Sequence, residues 1–285
     1  MWQIALLGTD ERYRSALEAV AGLHLAGGGE LTDSPSCERA LADARVAAVA
    51  VATPVHQRRY WIERALDQGK HVLCELPLTG SARESLLLAR RARHSAGHLV
   101  VGGDLASLAR ARDLTSGACA ERLGAPVYLR LGMRLPRADV SVTSLGVLAG
   151  FGIRIVRLAA LVCGRLDTAY ARARSLGANR PVEDCVVALL RFVNGCEGLV
   201  QVEALGERAG LHLALTGSRG ATELDFDLAE LDDLSGACLD LKRVLEGGEP
   251  ECGAHQLHLS ALLAEWIMQA ARTDREMARA DVTLP

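Results

Sequence analysis

Lysine is nearly absent from this sequence of 285 residues. Lys70 and Lys242 are the only two lysines, and every other basic residue is an arginine. Reactions in which a lysine amine transfers a proton therefore have at most two candidate residues in this chain.

Long apolar runs are also missing. The runs 46–52 and 186–190 have the length of β-strands, whereas a helix needs roughly 20 apolar residues to span a bilayer. The first eight residues contain no basic segment and no cleavage site. We therefore expect neither a signal peptide nor a membrane partner.

A surplus of positive charge is absent as well. The formal net charge is −3 and the pI is about 6.3, so the chain has no overall basic field for nucleic acid. The eight cysteines form no Cys-x-x-Cys pair, which indicates reduced thiols of a cytoplasmic protein. Cys252, His255 and His258 have loose metal-ligand spacing without a fourth partner, so we expect no metal site.

The composition, with 49% hydrophobic and 24% charged residues, is that of a globular protein. Up to residue 102, short apolar runs alternate with amphipathic stretches, which predicts a Rossmann-type, doubly wound parallel sheet. Ser34 or Ser36 is expected to cap the second helix. The predicted strands are 3–8, 23–26, 46–52, 71–75 and 98–102, and the predicted helices are 11–20, 35–44, 58–68 and 81–96.

After residue 122 the pattern changes to strand-like runs with little helix between them. This predicts an α+β domain with an open, predominantly antiparallel sheet. We therefore divide the chain into a Rossmann-type domain, 1–122, and a substrate and oligomerisation domain, 123–285. The predicted strands of the second domain are 126–134, 168–174, 184–192, 198–204, 211–216 and 221–226, and its predicted helices are 147–162 and 255–271.

Several motifs occur in the order typical of one oxidoreductase family. Ala52-Thr53-Pro54-x-His56 is followed by ALDQGKHVLCELPL at 65–78, and later by VED at 182–184, RFVNG at 191–195 and GSRG at 217–220. With these motifs the whole chain resembles the Gfo/Idh/MocA family, which includes glucose–fructose oxidoreductase and inositol dehydrogenase. The resemblance implies hydride transfer between NAD or NADP and a small polar substrate, such as a sugar-like alcohol, a carbonyl or an imine. The residues that it places at the cofactor are Gly8, Thr9, Ala52, Thr53, Pro54, His56, Glu75 and Pro77.

The phosphate-binding loop departs from the family pattern. The family has Gly-x-Gly-x-x-Gly after the first strand, whereas this chain has Gly8-Thr9-Asp10-Glu11-Arg12-Tyr13. The glycines let the backbone approach the pyrophosphate, and acidic side chains at the start of a helix disfavour a bound phosphate. The ribose-binding acid is replaced by the glycines at 27–29, although Glu30 follows them. We expect NAD or NADP binding to be weak or lost.

The catalytic positions of the family are also replaced. Its Glu-Lys-Pro triplet is Glu75-Leu76-Pro77 here, and the histidine of its Asp-x-Gly-x-His-x-x-Asp stretch aligns with Arg154. Leucine cannot transfer a proton, and arginine stays protonated. Cys74, Glu75 and Tyr128 remain as catalytic candidates, although a cysteine or a strand tyrosine at such positions is also explained by packing.

Three arginines occupy positions that the resemblance places around the cleft, namely Arg58, Arg154 and Arg157. Guanidinium groups bind carboxylates and phosphates in a bidentate manner, so these residues favour an anionic small-molecule ligand. The alternative is that they are solvated or paired with acids such as Glu75.

Two functions remain open at this point. The first is altered or non-redox chemistry on an anionic small molecule, and the second is a non-catalytic pseudoenzyme that binds a ligand or serves as a partner subunit. We also expect a homodimer or homotetramer formed through the C-terminal sheet, because the runs 186–190 and 199–202 are apolar on both faces.

Overall fold

A computed structural model provides the fold of the chain. It describes residues 1–105, 108–136, 144–176, 182–207, 209–227, 230, 232–251 and 254–282, and within these ranges it describes only the backbone of residues 27–31, 109 and 254–257. The chain divides into two compact units: unit 1 comprises Met1–Ser107 and Asp232–Leu259, and unit 2 comprises Leu108–Leu231 and Ser260–Pro285.

Unit 1 is built on a five-stranded sheet with the order β2-β1-β3-β4-β5, in which every pairing is parallel. The strands are β1 (Trp2–Leu7), β2 (Leu23–Leu31), β3 (Val46–Val51), β4 (His71–Glu75) and β5 (Leu99–Gly102). The helices between them are α1 (Glu11–Ala19), α2 (Ser34–Ala42), α3 (Val55–Asp67) and α4 (Ala82–Arg93). The predicted Rossmann-type sheet is therefore confirmed.

Two local predictions for unit 1 are wrong, and one helix was not predicted. β2 does not stop before the glycines but continues to Leu31, because its second half pairs with the end of β1 after a shift in register. Asp33, not Ser34 or Ser36, caps α2 by accepting a hydrogen bond from the Ser36 backbone N–H. A helix in the returning segment, Ser235–Leu245, was not predicted.

One apolar core of unit 1 lies between the sheet and two helices. Tyr13 and Leu17 of α1 and Leu241 of the returning helix are fully buried against Leu6 and Leu73 of the sheet. Helix Ser235–Leu245 contacts β4 and β5 and so covers the half of the sheet next to α1. This apolar layer therefore contains residues of both segments of unit 1, Met1–Ser107 and Asp232–Leu259.

Unit 2 contains a seven-stranded sheet with the order β11-β10-β6-β9-β8-β7-β12. Only the pairing of β6 with β9 is parallel, and the other pairings are antiparallel. This confirms the predicted, predominantly antiparallel second sheet. The strands are β6 (Pro126–Pro136), β7 (Leu166–Arg174), β8 (Cys185–Phe192), β9 (Glu197–Gly206), β10 (Gly210–Gly217), β11 (Ala221–Asp227) and β12 (Met277–Ala278).

One face of the second sheet is buried and the other is open. Along β8, Val186, Ala188 and Leu190 are buried, whereas Val187 and Leu189 are exposed. Helix α7 (Ile153–Cys163) contacts β6 and β9 on the buried side. The remaining helices are α5 (Ala109–Leu114), α6 (Gly117–Leu123), α8 (Ser235–Leu245) and α9 (Ala254–Thr273).

A π-helical turn, Leu148–Gly152, leads into α7, where a single helix over 147–162 was predicted. A side chain at Gly152 would lie 2.8 Å from Cγ2 of Val202, so the glycine lets this turn approach β9 closely. No helix in the described part of the chain is both long enough and apolar enough to cross a membrane.

Candidate functional site

The carboxyl ends of β1, β3 and β4 lie along one edge of the unit 1 sheet. The chain leaves these strands at Gly8, Ala52 and Leu76, and β1 is flanked by β2 on one side and β3 on the other. In open parallel sheets, ligands bind in the crevice outside the carboxyl ends at such a switch in strand order. Most of the predicted cofactor residues therefore lie at this edge.

Gly8 forms the tight turn after β1. Its φ is +102°, and a Cβ at this position would lie only 2.6 Å from the backbone oxygen of Ala52. The strands are held this close because the Ala52 N–H donates to the Leu7 carbonyl at 2.8 Å. The fold therefore requires glycine here whether or not a dinucleotide binds.

The two other glycine positions of the phosphate loop hold large or charged side chains. Asp10 caps α1, and its carboxylate accepts the backbone N–H of Arg12 at 3.0 Å. Tyr13 is fully buried between α1 and the sheet, and its hydroxyl accepts the Glu75 N–H at 2.8 Å. Burial raises the pKa of the Tyr13 hydroxyl well above its usual value, so the phenol stays protonated.

Arg12 joins three acids at the start of α1. Its guanidinium donates to the Asp10 carboxylate at 2.7 Å and to the Glu75 carboxylate at 2.8 Å, and a carboxylate oxygen of Asp232 lies 3.6 Å away. Burial opposes the charge, but the two bonded carboxylates raise the pKa of Arg12 above its usual value. We call Arg12, Asp10, Glu75 and Asp232 the Arg12 cluster.

Arg58 is held by the ends of β3 and β4. It donates to the backbone oxygens of Thr53 at 2.9 Å, Glu75 at 3.1 Å and Pro77 at 2.7 Å. Its guanidinium also lies 3.6 Å from the Glu75 carboxylate. Its donors are thus directed at the loops after these strands, which agrees with the alternative that Arg58 pairs with Glu75.

The residue at the position of the family's catalytic lysine is buried. Leu76 is only 2% exposed, and the peptide bond to Pro77 is cis. Cys74 is fully buried, and this burial raises the pKa of its thiol to about 11. A thiol with this pKa is protonated at neutral pH and is a weak nucleophile.

The remaining predicted cofactor residues differ in their surroundings. Thr9, Pro54 and His56 are exposed, and Nε2 of His56 lies 3.3 Å from Nε2 of Gln57. Thr53 is buried, and its hydroxyl has no hydrogen-bond partner in the described part of the chain.

The phosphate loop does not fit a dinucleotide pyrophosphate. Such a group needs free backbone N–H groups at the start of the helix and a glycine where the backbone approaches it. Here Asp10 takes up one of these N–H groups and adds negative charge, and Tyr13 fills the space between α1 and the sheet. Only the turn at Gly8 matches the requirement.

In unit 2 the predicted ligand residues Arg154 and Arg157 lie on α7. They are 5% and 7% exposed, and both make polar or electrostatic contacts within the chain. Tyr128 is 39% exposed on β6. These three residues belong to a different unit from Arg58 and Glu75.

No metal site is evident in the ranges that the structure describes: no three His, Cys, Asp or Glu side chains are arranged to hold an ion. Cys252 lies outside the described residues, as does the side chain of His255. His258 is buried, and its Nδ1 lies 3.2 Å from the backbone oxygen of Ala82.

Sequence reasoning did not identify Arg12 or Asp232 as residues of this edge. The sequence feature that could have identified Arg12 is the spacing Asp10-x-Arg12 at the start of a helix, because this spacing favours an ion pair between the two side chains. The contact with Glu75 joins residues 63 positions apart, and Asp232 enters from the returning segment.

The sequence of unit 1 matches a known family. Residues 12–103 match the family GFO_IDH_MocA, described as "Oxidoreductase family, NAD-binding Rossmann fold". No curated protein sequence matches the chain.

Solved structures share the fold over nearly the whole chain. GenD2 from gentamicin A biosynthesis, in complex with NAD, has a TM-score of 0.86 at 20% identity. The similarity covers 97% of this chain and 96% of the GenD2 chain. The myo-inositol 2-dehydrogenase of Lactobacillus plantarum has a TM-score of 0.85 at 15% identity, with 97% and 99% covered. The WlbA dehydrogenase of Bordetella pertussis, in complex with NADH and UDP-GlcNAcA, has a TM-score of 0.83 at 16% identity, with 100% and 98% covered.

These likenesses establish the fold of both units, and the family match confirms the resemblance found in the sequence. Residues 12–103 of this chain are therefore similar to the NAD-binding Rossmann-fold domain of the Gfo/Idh/MocA oxidoreductase family.

Proposed function

We propose that this chain uses the oxidoreductase fold as a non-redox binding protein for a small anionic molecule and has lost NAD(P)-linked hydride transfer. The Arg12 cluster is the observation that carries the loss of dinucleotide binding, and the guanidinium groups of Arg154 and Arg157 on α7 favour an anionic ligand. In the Arg12 cluster the guanidinium and the carboxylates bond to each other at the start of α1, where a dinucleotide-binding Rossmann fold offers free N–H groups to a pyrophosphate. NAD or NADP binding is then weak or lost.

The catalytic candidates support the same proposal. Leu76 has no proton to transfer, the Cys74 thiol is protonated at neutral pH, and the Glu75 carboxylate is bonded to Arg12. Hydride transfer between a dinucleotide and an alcohol needs a group that accepts or donates a proton. Among the candidates of unit 1, none is free to do so.

A second candidate function is altered, non-redox chemistry on an anionic substrate. The buried pair Arg154 and Arg157 favours it, because guanidinium groups one helical turn apart can bind a carboxylate or phosphate in a bidentate manner. Tyr128 is then the remaining proton donor. A substrate that is converted, and not merely bound, would decide for this alternative.

Rebuilding the phosphate loop tests the proposal. The double variant Asp10→Gly/Arg12→Ser frees the start of α1, and we expect it to bind NADH at least about tenfold more tightly than the wild type in calorimetric titration. Asp33→Gly/Arg39→Ser is the matched control, because Asp33 caps α2 in the same way. A wild type that binds NADH as tightly as the rebuilt variant would contradict the proposal.

We further propose a homodimer or homotetramer that forms through the open face of the second sheet. Val187 and Leu189 are 38% and 56% exposed there, beside Leu199, which faces Leu189 on β9. Burial of this apolar patch from water favours association. A cytoplasmic location remains part of the proposal, based on the free cysteines in the described part of the chain.

A further inference from the structure

Two cysteine side chains lie in contact inside unit 2, although they are 33 positions apart in sequence. Cys163 is the last residue of α7, and Cys196 directly precedes β9. Their Sγ atoms are 3.4 Å apart, and the two residues are only 1% and 0% exposed. The fold therefore brings the end of a helix and the start of a strand together through two thiols.

The backbone on each side determines where the thiols lie. Gly164, whose φ is +88°, ends α7 directly after Cys163. The Cys196 carbonyl accepts the Phe192 N–H at 2.9 Å, and the Cys196 N–H donates to the Asn194 side chain at 3.1 Å. The sulfur atoms need to approach by about 1.4 Å to reach the S–S bond length of about 2.0 Å. A disulfide between them is thus within reach of a small local movement.

The thiol pair lies directly beneath the surface. Val193, Asn194 and Gly195, which form the turn between β8 and β9, are exposed, and Cys196 follows them. Exposed turns open locally at a lower free-energy cost than the interiors of strands. A molecule close to water in size, such as hydrogen peroxide, can then reach the Cys196 sulfur without unfolding of the sheet.

The contact gives the two thiols different reactivities. Burial raises the pKa of both thiols. The contact between them opposes this rise at Cys196, because the S–H of Cys163 can donate to a Cys196 thiolate, whereas it raises the pKa of Cys163 further. The thiolate is the reactive form of cysteine. Cys196 is therefore suited to react first, and Cys163 to react with its product.

We propose that Cys163 and Cys196 form a reversible disulfide when the protein meets hydrogen peroxide, and that this bond stabilises unit 2. The Cys196 thiolate attacks one peroxide oxygen, which gives a sulfenic acid and hydroxide, and the thiol proton converts this hydroxide to water. The Cys163 sulfur then displaces the hydroxyl group of the sulfenic acid, which leaves with the Cys163 proton as a second water. Two thiols are thereby oxidised, and one peroxide is reduced to two waters.

The bond would change the stability of the unit more than its structure. A disulfide restricts the unfolded chain, and the restriction grows with the length of the loop that the bond closes. Here the bond would close a loop with cysteines 33 positions apart and tie α7 to the turn before β9. Both cysteines are free thiols in the structure, which is the resting state expected in a reducing compartment.

Peptide mapping of the wild-type full chain tests the proposal. The folded protein is treated with hydrogen peroxide, its remaining thiols are alkylated, and it is digested with trypsin. We expect the peptides 158–165 and 192–208 to be joined, with a mass two hydrogen atoms below their sum, and to separate after reduction with dithiothreitol. The rate should rise from about pH 7 to about pH 9, because the thiolate reacts.

Three alanine variants separate the roles of the two thiols. Cys163→Ala should leave a Cys196 sulfenic acid that dimedone traps, whereas Cys196→Ala should leave Cys163 as a thiol. Cys238→Ala is the matched control, because Cys238 is equally buried but belongs to unit 1, and it should form the bond at the wild-type rate. Oxidised wild type should melt about 5 °C or more above the reduced protein.

Three outcomes would overturn the proposal. The first is that both peptides stay alkylated while Cys185, which is partly exposed, is oxidised. The second is that Cys163 and Cys196 join other cysteines as often as each other, and the third is that the oxidised protein melts no higher than the reduced one. The mapping needs no substitution, so a variant that fails to fold does not affect it.

Discussion

Removing the Arg12 side chain should destabilise unit 1 although the cap of α1 remains. Arg12→Ala leaves the backbone N–H that Asp10 accepts but removes the guanidinium from the Glu75 carboxylate, whose side chain is 8% exposed. Arg58, 3.6 Å away, is then the remaining cation next to this carboxylate.

The expected magnitude lies between two limits. Breaking a buried ion pair costs about 3–5 kcal/mol, whereas exposed pairs contribute about 0.2–1 kcal/mol. The Arg12 side chain is 38% exposed, so solvent screens part of the interaction. We expect the free energy of unfolding to fall by about 1–3 kcal/mol.

Urea denaturation of the wild type, Arg12→Ala, Glu75→Gln and the double variant measures this effect. We expect a coupling energy of about 1 kcal/mol or more between the two sites, because their side chains bond directly. The control Arg39→Ala removes an exposed arginine of the same unit and should cost less than about 0.5 kcal/mol. Additive effects of Arg12→Ala and Glu75→Gln would refute the reasoning.

Three further changes have defined outcomes. Gly8→Ala should lower the free energy of unfolding by about 2–3 kcal/mol in urea denaturation, because the new Cβ would collide with the Ala52 carbonyl; a neutral effect would show that the turn can relax. Burial raises the pKa of Glu183, so folding favours the protonated form of this carboxyl group. The stability that this gives is fully present below the ordinary pKa range of glutamate and is lost as the pH rises through the raised pKa. Glu183→Gln should therefore gain stability relative to the wild type between about pH 4 and pH 7 in thermal melts, and parallel curves would contradict this. Leu189→Glu should convert the proposed oligomer to monomers in sedimentation velocity, and a wild type that is already monomeric at micromolar concentration would refute the proposed interface.

Hydrophobic patterning predicted most of the strands because burial leaves a direct trace in sequence. β3 is apolar at every position and is buried on both faces, and β8 alternates and is buried on one face. Helix α8 had such a trace too: Ala237, Leu241 and Val244 are spaced as one helical face and are buried. The helix was missed because its place on the unit 1 sheet depends on the return of the chain to unit 1 at Asp232. Hydrophobic periodicity carries no information about that return.

The sequence motifs placed several residues of the candidate site at strand ends but did not indicate their contacts. The motifs located Gly8, Thr53 and Glu75 at the ends of parallel strands, since strand order alone brings such ends together. The contact of Arg12 with Glu75 depends on the lateral spacing of β1 and β4 and on the rotamer of a long side chain. Residue types do not determine either of these.

Titration of the wild type with NADH and NADPH tests most directly whether this fold has lost its dinucleotide. Isothermal calorimetry of the full chain gives the dissociation constant without any need for a substrate. We predict a dissociation constant larger than about 10 µM for both cofactors. This corresponds to a binding free energy less favourable than about −7 kcal/mol. Binding of either cofactor more tightly than this would contradict the account, because the Arg12 cluster would then have to open for a pyrophosphate.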